Sequence, residues 1–292
     1  MEAGDSSRSP QYHDTTAAYA LPNDSPEHQR LEAQARALET QMRGEVFHAA
    51  ISNPRRIVDI GCGTGRTTVQ LAAKYPDAQV IGVDLSAVPS LYEHPRNVAY
   101  IQGEFNKLVT SGDERLSPGS IDYVLSRCLI LGVTGWPGYF ANIGGLLAPG
   151  GYVESHEVDI TLRDANDNRV VGDREAEEAF HYLAARKGMD LATGSHLVSY
   201  LEEANLEIAG QQVYRWPILP MPDAPETDMV QKITIQLPTA MQAIWNRLGT
   251  DVYPQEKLDE FRQALIRSHE PEARQVGDHY NFHVVVGRKA LD

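Results

Sequence analysis

Cysteine is scarce in this chain of 292 residues, which contains only Cys62 and Cys128. Because no histidines cluster beside them, the two thiols are better explained as unpaired residues in a reducing compartment than as a disulfide or a metal centre. A long apolar run is also absent, so we predict no membrane-spanning helix. Residues 1–7 are small and polar and lack the apolar segment of a secretory signal. Together these absences predict a cytoplasmic protein.

Basic residues are also few. The chain has 26 lysines and arginines against 40 aspartates and glutamates, which gives a net charge of −14. Binding to nucleic acid phosphates or to an anionic membrane needs a basic face, so we expect neither partner. No H-E-x-x-H motif occurs, and Asp164, Asp167 and Asp173 fit a solvated loop better than a metal site. The 42% of hydrophobic residues is enough for a full core, and the length predicts one domain with additions.

Three glycines at alternate positions, Gly61, Gly63 and Gly65, interrupt a short apolar run and precede a helical pattern. The order strand, glycine turn, helix allows a nucleotide-like ligand to approach the backbone closely. The spacing differs from the dinucleotide fingerprint G-x-G-x-x-G, and an acid, Asp59, stands just before the glycines. A carboxylate there would repel a pyrophosphate and attract an ammonium group, which favours S-adenosylmethionine as the ligand.

A second acid, Asp84, ends the next predicted strand, Val80–Asp84, and follows Gly65 by 19 residues. At about this spacing an acid accepts hydrogen bonds from ribose hydroxyls. With both acids placed around the glycine turn, the segment resembles the class I S-adenosylmethionine-dependent methyltransferases. A glycine-rich turn without a ligand and an NAD site are the alternatives, and the combined pattern disfavours both.

The resemblance implies an α/β fold, with a Rossmann-like class I methyltransferase core and a mostly parallel seven-stranded sheet. Residues 26–292 would form a single methyltransferase domain, with an N-terminal helix over about 27–51 and a helical cap insertion at about 160–250. Residues 1–25 would form a flexible segment that serves as a lid over the cofactor.

Three details of secondary structure are also predicted. The fifth strand should cover 152–157 and end there, and the last strand, 279–288, should close the sheet as an edge strand. A helical pattern covers 228–248, and Pro238 should break or kink it because proline removes a backbone hydrogen bond.

The resemblance further implies how S-adenosylmethionine is bound, with S-adenosylhomocysteine as the product. Glu104, after the third strand, would contact the adenine amine, and Phe105 would stack on the purine. Ser126 and Arg127, after the fourth strand, would line the methionine end. A solvated loop acid at Glu104 and a salt-bridged structural role for Arg127 are the open alternatives. The complete predicted set of cofactor residues is Tyr19, Asp59, Gly61, Cys62, Gly63, Gly65, Asp84, Leu85, Gly103, Glu104, Phe105, Ser126 and Arg127.

A narrower resemblance rests on shorter motifs. Residues 19–24, Tyr-Ala-Leu-Pro-Asn-Asp, precede a helix that contains Arg30-Leu31, and residues 149–154 are Pro-Gly-Gly-Tyr-Val-Glu. These motifs are similar to those of the LaeA-like branch of fungal methyltransferases, in which Tyr19 would lie over the cofactor. That branch has a Gln-His pair where this chain has Gln34-Ala35, so no role is transferred for the histidine.

Different classes of function are compatible with these patterns. The first is an enzyme that methylates an O, N or S atom of a small molecule in secondary metabolism, which the acidic net charge favours. The second, implied by the LaeA-like resemblance, is a regulatory protein that acts through protein partners, for which a nuclear location is also compatible. A third is a cyclase that uses the sulfonium charge without transferring the methyl group.

Methyl transfer from a sulfonium is a displacement at carbon, which needs in-line positioning and exclusion of water. A general base helps when the acceptor is a hydroxyl or a protonated amine. We expect His156 and Glu157, at the end of the fifth strand, to supply this base, with His13 as the second candidate. Neighbouring strand residues face opposite sides, so only one of the first two would face the cavity. A histidine with a purely structural role is the simpler interpretation of each.

Overall fold

The computed structural model describes residues 25–224 and 227–291. Predictions for residues 1–24, which include His13, Tyr19 and the lid, lie outside the described residues. Within these residues no helix combines the length and the apolarity that crossing a membrane requires. The strands are β1 (Arg56–Ile60), β2 (Gln79–Asp84), β3 (Val98–Gln102), β4 (Ile121–Arg127), β5 (Leu147–Arg163), β6 (Leu206–Pro217) and β7 (His279–Lys289). The α-helices of this part of the chain are α1 (Ser25–Gln41), α2 (Arg66–Lys74), α3 (Phe105–Thr110), α4 (Trp136–Leu146), α5 (Arg174–Arg186), α6 (Thr193–Glu203), α7 (Thr227–Thr234), α8 (Leu237–Leu248) and α9 (Gln255–His269).

The seven strands form one sheet in the order β3-β2-β1-β4-β5-β7-β6. Strands β1 to β5 pair in parallel, and β7 pairs antiparallel with both β5 and β6. This arrangement confirms the predicted α/β fold with a mostly parallel seven-stranded sheet. The chain order reverses between β1 and β4, and a crevice for ligands forms outside the carboxyl ends of strands at such a point.

Both faces of the parallel strands are buried, which explains their nearly continuous apolar runs. On β1, Val58 belongs to a core shared with α3, α4 and α6, whereas its neighbour Ile57 packs with Leu71 of α2. A separate apolar cluster joins α5, α8 and α9, where Trp245 stacks on Phe180 with ring centroids 5.6 Å apart. The helices after β5 therefore have a core of their own beside the sheet.

The last strand is not at the edge of the sheet, contrary to the sequence prediction. Strand β7 lies between β5 and β6, and its segment 284–286 is buried on both faces, as an internal strand requires. Strand β6 forms the edge, and its alternating polar residues leave much of it exposed. Because β6 lies within 160–250, the span predicted as a helical cap also contributes to the sheet.

Two helix boundaries illustrate how local residues set element length. Helix α1 ends at Gln41 rather than near residue 51, because Arg43 (φ 51°) and Gly44 (φ 82°) adopt left-handed backbone conformations that stop a helix. The break predicted at Pro238 is confirmed, since α7 ends at Thr234 and the proline lies in the first turn of α8. In a first turn, proline removes no helical hydrogen bond.

Strand β5 continues to Arg163, six residues beyond the predicted end. His156 is paired with Arg127 of β4 and with Val284 of β7, and Glu157 is paired with His283. The antiparallel pairing with β7, which extends past the last residue of β4, accounts for the extra length. His156 therefore lies level with the last residue of β4, and both His156 and Glu157 lie within β5 rather than at its end.

A fully buried carboxylate, Glu154, joins β5 to the segment that leads from α1 into β1. It accepts hydrogen bonds from the backbone N–H of Ala49 (2.7 Å), the hydroxyl of Tyr123 (2.8 Å) and Nε2 of His156 (2.6 Å). The backbone N–H of His48 (2.9 Å) and its Nδ1 (3.1 Å) also contact it. Although burial by itself raises the pKa of Glu154, its hydrogen bonds with His156 and His48 hold that pKa well below the ordinary value.

The same three side chains form the one cluster of potential metal ligands that is found within residues 25–224 and 227–291, namely His48, Glu154 and His156. Both ring nitrogens lie at hydrogen-bond distance from one oxygen, Glu154 Oε1. A metal ion bound by these atoms would have to replace both imidazole protons. The distances therefore indicate a proton-bearing network that fixes the connection to β1.

Replacing Glu154 with glutamine should lower the free energy of unfolding by about 3 kcal/mol, because several buried donors lose their charged acceptor. Urea denaturation measures this change. Tyr123→Phe, which removes one donor and keeps the carboxylate, should cost only about 1 kcal/mol. Equal losses in the two variants would contradict the central role of the carboxylate.

Candidate active site

A cavity of about 770 Å³ opens at the carboxyl ends of β1, β2, β3 and β4. Its first wall consists of the turns that follow β1, β2 and β3. Its second wall is a continuous segment, residues 127–134, at and after the end of β4. The remaining sides are formed by α1, the distal half of β5, the end of β6 and α8. The cavity thus occupies the crevice that the strand order predicts.

The glycine turn brings backbone to the cavity surface at Gly61 and Gly63. Both have positive φ angles, 69° and 54°, which residues with a side chain rarely adopt. A Cβ atom on Gly61 would overlap Cδ2 of Leu129, so a side chain there would require the leucine side chain to shift. The backbone N–H groups of Gly61 and Cys62 donate to the carbonyl of Val83, at 2.8 and 3.1 Å, and attach the turn to β2.

Asp84 lies at the end of β2 and lines the cavity together with Leu85. Its Oδ2 accepts a hydrogen bond from the N–H of Gly63 (2.8 Å), and its Oδ1 accepts one from the N–H of Ser86 (2.9 Å). A carboxylate has about four acceptor positions, so these bonds are compatible with binding ribose hydroxyls. The carboxylate predicted for the ribose is therefore also a fastening point for the glycine turn.

The loop after β3 contributes Gly103, Glu104 and Phe105 to the cavity wall. Glu104 caps the N-terminus of α3, where its carboxylate accepts from the N–H groups of Asn106 and Lys107, both at 2.9 Å. Capping fixes this carboxylate at the cavity, so it is not a freely solvated loop acid. Phe105 is buried and makes an edge-to-face contact with Tyr139, with ring centroids 5.4 Å apart.

Arg127 brings a positive charge to the second wall of the cavity. One of its terminal nitrogens, Nη2, donates to the hydroxyl of Thr67. The other, Nη1, is buried and has no hydrogen-bond partner among the residues that the structure describes. Arg127 also forms no ion pair within the described residues. The alternative of a structural arginine held by a salt bridge therefore has no acidic partner in this part of the chain.

Four predicted cofactor residues, Asp59, Cys62, Gly65 and Ser126, are not brought to the cavity surface. Asp59 is buried behind the glycine turn, where Oδ2 accepts from the hydroxyl of Thr68 (2.7 Å) on α2. Burial raises the pKa of Asp59 to about 6, although the Thr68 hydroxyl and Arg127 lower it. Since its bond is to α2, Asp59 supports the shape of the turn in this structure and does not line the ligand space.

The two described residues predicted as catalytic, His156 and Glu157, are also absent from the cavity lining, because their side chains make buried hydrogen bonds elsewhere. The side chains of both are fully buried. Glu157 accepts hydrogen bonds from the backbone N–H of Leu129 (2.6 Å) and of Ile130 (3.1 Å) in the second wall. Burial raises the pKa of Glu157 to about 8, although these two N–H groups lower it.

Polar residues of α1 line the cavity and were not identified from the sequence as site residues. Arg30 donates to both carboxylate oxygens of Glu27, at 2.7 Å each, and to Oε1 of Gln34 at 3.1 Å. His28 lies in the same wall. The spacing of three and four residues between Glu27, Arg30 and Gln34 places them on one helix face. This polar stripe is the feature of the sequence that could have marked α1 as part of the site.

Helix α1 is fastened to the glycine turn and α2 by two glutamates. Glu32 accepts a hydrogen bond from the hydroxyl of Thr64 at 2.6 Å. Glu39 accepts from Nε of Arg66 at 2.9 Å and from the side-chain amide of Gln70 at 2.7 Å. These contacts hold the polar stripe of α1 opposite the turn.

The strand order, a glycine turn attached to β2, and an acid at the end of β2, all around one cavity, define a class I S-adenosylmethionine-dependent methyltransferase. Residues 27–211 match the family model described as "Methyltransferase domain". The match covers more than half of the chain, and the chain therefore belongs to this family.

Among curated proteins, the chain is similar to fungal proteins named laeA. It is 32% identical to the protein-methionine methyltransferase laeA of Emericella nidulans over 147 residues, which cover 50% of this chain and 38% of that protein. It is 29% identical to the secondary metabolism regulator laeA of Aspergillus niger over 208 residues, which cover 69% of this chain and 53% of that protein. The chain thus spans about half or less of the length of these relatives.

Solved structures share the fold at low sequence identity. The YcgJ protein of Bacillus subtilis has a TM-score of 0.50 and 15% identity, over 88% of this chain and 99% of that chain. A geranyl diphosphate methyltransferase in complex with its methyl donor also has a TM-score of 0.50, with 14% identity over 96% of this chain and 97% of that chain.

The raised pKa of Glu157 predicts a pH-dependent difference between the wild type and Glu157→Gln. The folded carboxyl titrates near 8 and the unfolded one near 4.5, so the wild type should lose stability as the pH rises from about 4.5 through 8. The full shift corresponds to at most about 5 kcal/mol. Denaturant unfolding of both proteins at several pH values measures the difference, which should increasingly favour the glutamine variant. A difference that does not change with pH would contradict the assignment.

Proposed function

We propose that this protein transfers the methyl group of S-adenosylmethionine to a small acceptor molecule by in-line displacement. The observation that carries the proposal is the convergence of the Gly61–Gly63 backbone, Asp84 and the Glu104–Phe105 loop on one cavity. The cofactor supplies a sulfonium methyl group that is already activated, so the protein has to bind, orient and exclude water.

The donors and acceptors around the cavity suit the three parts of this cofactor. Asp84 would accept hydrogen bonds from the ribose hydroxyls, and the Glu104–Phe105 loop would receive the adenine. Arg127, whose buried Nη1 lacks a partner among the described residues, would meet the carboxylate of the amino-acid end. A buried unpaired donor costs free energy, and an anionic ligand group beside it removes that cost.

The opposite end of the cavity is apolar and would hold the acceptor. Its walls include Val158 and Ile160 of β5, Trp216 at the end of β6, and Leu237 and Met241 of α8. Such walls suit an apolar small molecule with few polar groups. Together with the net charge of −14, they support a metabolite carrying an O, N or S acceptor rather than a nucleic acid.

We further propose His28 as the general base, in place of His156 and Glu157. It lies in the α1 wall of the cavity, and an imidazole nitrogen can serve as a general base. His28→Gln should lower methyl transfer at least tenfold while changing affinity for S-adenosylhomocysteine less than about threefold. His196→Gln, which replaces an exposed histidine of α6 outside the cavity lining, is the matched control. Transfer that is unchanged in His28→Gln would exclude His28 as the base.

A regulatory role is the second candidate, and the similarity to the laeA regulators favours it. The deciding experiment incubates the purified protein and methyl-labelled S-adenosylmethionine with a metabolite extract and, separately, with a protein extract of the source organism. Label in small molecules supports the enzyme proposed here, and label confined to proteins supports the regulatory role. A product isomeric with its substrate, with no label, would indicate a methyl-sparing cyclase.

The cofactor assignment is tested by Asp84→Ala, which should weaken binding of S-adenosylhomocysteine about 10- to 100-fold. The reason is that the two ribose hydroxyls would lose their hydrogen bonds to a charged acceptor. Calorimetry measures the affinity. Asp122→Ala is the matched control, because Asp122 likewise accepts from two backbone N–H groups, those of Arg55 and Arg56, but lies outside the cavity wall. Wild-type affinity in Asp84→Ala would show that the ribose assignment is wrong.

A further inference from the structure

Glu157 is a buried acid whose hydrogen-bond donors in the described part of the chain are backbone groups rather than a counter-ion. Its two oxygens accept from consecutive N–H groups, those of Leu129 and Ile130. No ion pair to Glu157 occurs within the described part of the chain. Burying a carboxylate is costly unless its bonds compensate, so a residue that only filled space here would be apolar.

The two N–H groups belong to the turn at the start of the second cavity wall. Cys128, which precedes them, has a positive φ of 57°, an unfavourable conformation for a residue with a side chain. The N–H groups of Gly132 and Val133 both donate to the carbonyl of Leu129, at 2.8 and 2.9 Å. The carbonyl of Leu129 therefore accepts the hydrogen bonds that close the turn, and the N–H of Leu129 donates to Glu157.

Leu129 also connects this wall to the glycine turn. Its Cδ2 fills the space that the Cβ atom of a side chain on Gly61 would occupy. The Leu129 side chain consequently packs directly against the backbone that lines the cofactor half of the cavity. A displacement of the Leu129 backbone would change the gap between the two walls.

We propose that Glu157 is a positioning residue for methyl transfer, which fixes the backbone of Leu129 and Ile130 and thereby holds the second wall of the cavity against the Gly61 turn. This inference rests on the proposed function, because it takes the space between the two walls as the binding site of the cofactor. Glutamine cannot reproduce the arrangement fully, since an amide has one acceptor oxygen and would turn its own N–H groups toward one of the two donors.

The groups that face Glu157 titrate away from pH 8. On the cavity side, burial raises the pKa of the Cys128 thiol to about 12 and raises that of the Tyr139 hydroxyl well above its ordinary value. On β7, burial lowers the pKa of His283, which is paired in register with Glu157. From α6, Gly194 packs against the backbone of Glu157, and glycine has no titratable side chain. A titration near pH 8 in this region therefore reports on Glu157.

The experiment compares the full-length wild type with Glu157→Gln and Glu157→Ala, all checked for folding by circular dichroism. The first readout is the pH dependence, from 6 to 9.5, of the amide NMR signals of Leu129 and Ile130. The second is the affinity for S-adenosylhomocysteine, measured by calorimetry. Glu177→Gln is the matched control, because Glu177 also accepts from a loop N–H, that of Gly172 at 2.8 Å, away from the cavity.

In the wild type both amide signals should titrate near pH 8, and in Glu157→Gln this titration should be lost. Affinity for S-adenosylhomocysteine should fall about fivefold in Glu157→Gln, the equivalent of about one hydrogen bond, and further in Glu157→Ala. The control should retain both the titration and the affinity.

Unchanged amide signals and affinity in both folded variants would overturn the inference, and so would an equal loss of affinity in Glu177→Gln. If the wild type binds S-adenosylhomocysteine and the variants bind it equally well, the inference alone fails. If the wild type does not bind it, the proposed function fails and the inference fails with it.

Discussion

The site depends on the parallel pairing of β1 with β4, two strands that lie side by side although β2 and β3 separate them in sequence. The connections that leave these two strands run in opposite directions and cannot cover the space between them. That space becomes the cavity, with the glycine turn on one side and residues 127–134 on the other. The sheet order thus creates a cavity with two walls before any side chain contributes.

Two buried acidic side chains on β5 connect this strand to neighbouring segments. Glu154 accepts hydrogen bonds from the segment before β1, and Glu157 accepts them from the turn after β4. Both accept from backbone N–H groups. The pKa values of the two acids are shifted in opposite directions: histidine bonds lower the pKa of Glu154, whereas burial raises that of Glu157. One strand therefore supports the entry to β1 and the second cavity wall through chemically different contacts.

The sequence was sufficient for features that are encoded within about 30 residues. The glycine turn and Asp84 were found because their spacing is local, and Pro238 breaks its helix wherever the helix packs. The length of β5 and the internal place of β7 were missed because both depend on pairing between distant segments. The sequence pattern consequently places His156 and Glu157 at a strand end, and it does not by itself mark the polar face of α1 as part of the site.

The attachment of α1 to the glycine turn has a kinetic consequence. The bonds from Thr64 to Glu32 and from Arg66 and Gln70 to Glu39 make α1, the turn and α2 move as one unit. A ligand that entered between α1 and the glycine turn would have to break these bonds. Exchange by that route would be limited by rupture of the Glu39–Arg66 ion pair, which added salt would accelerate.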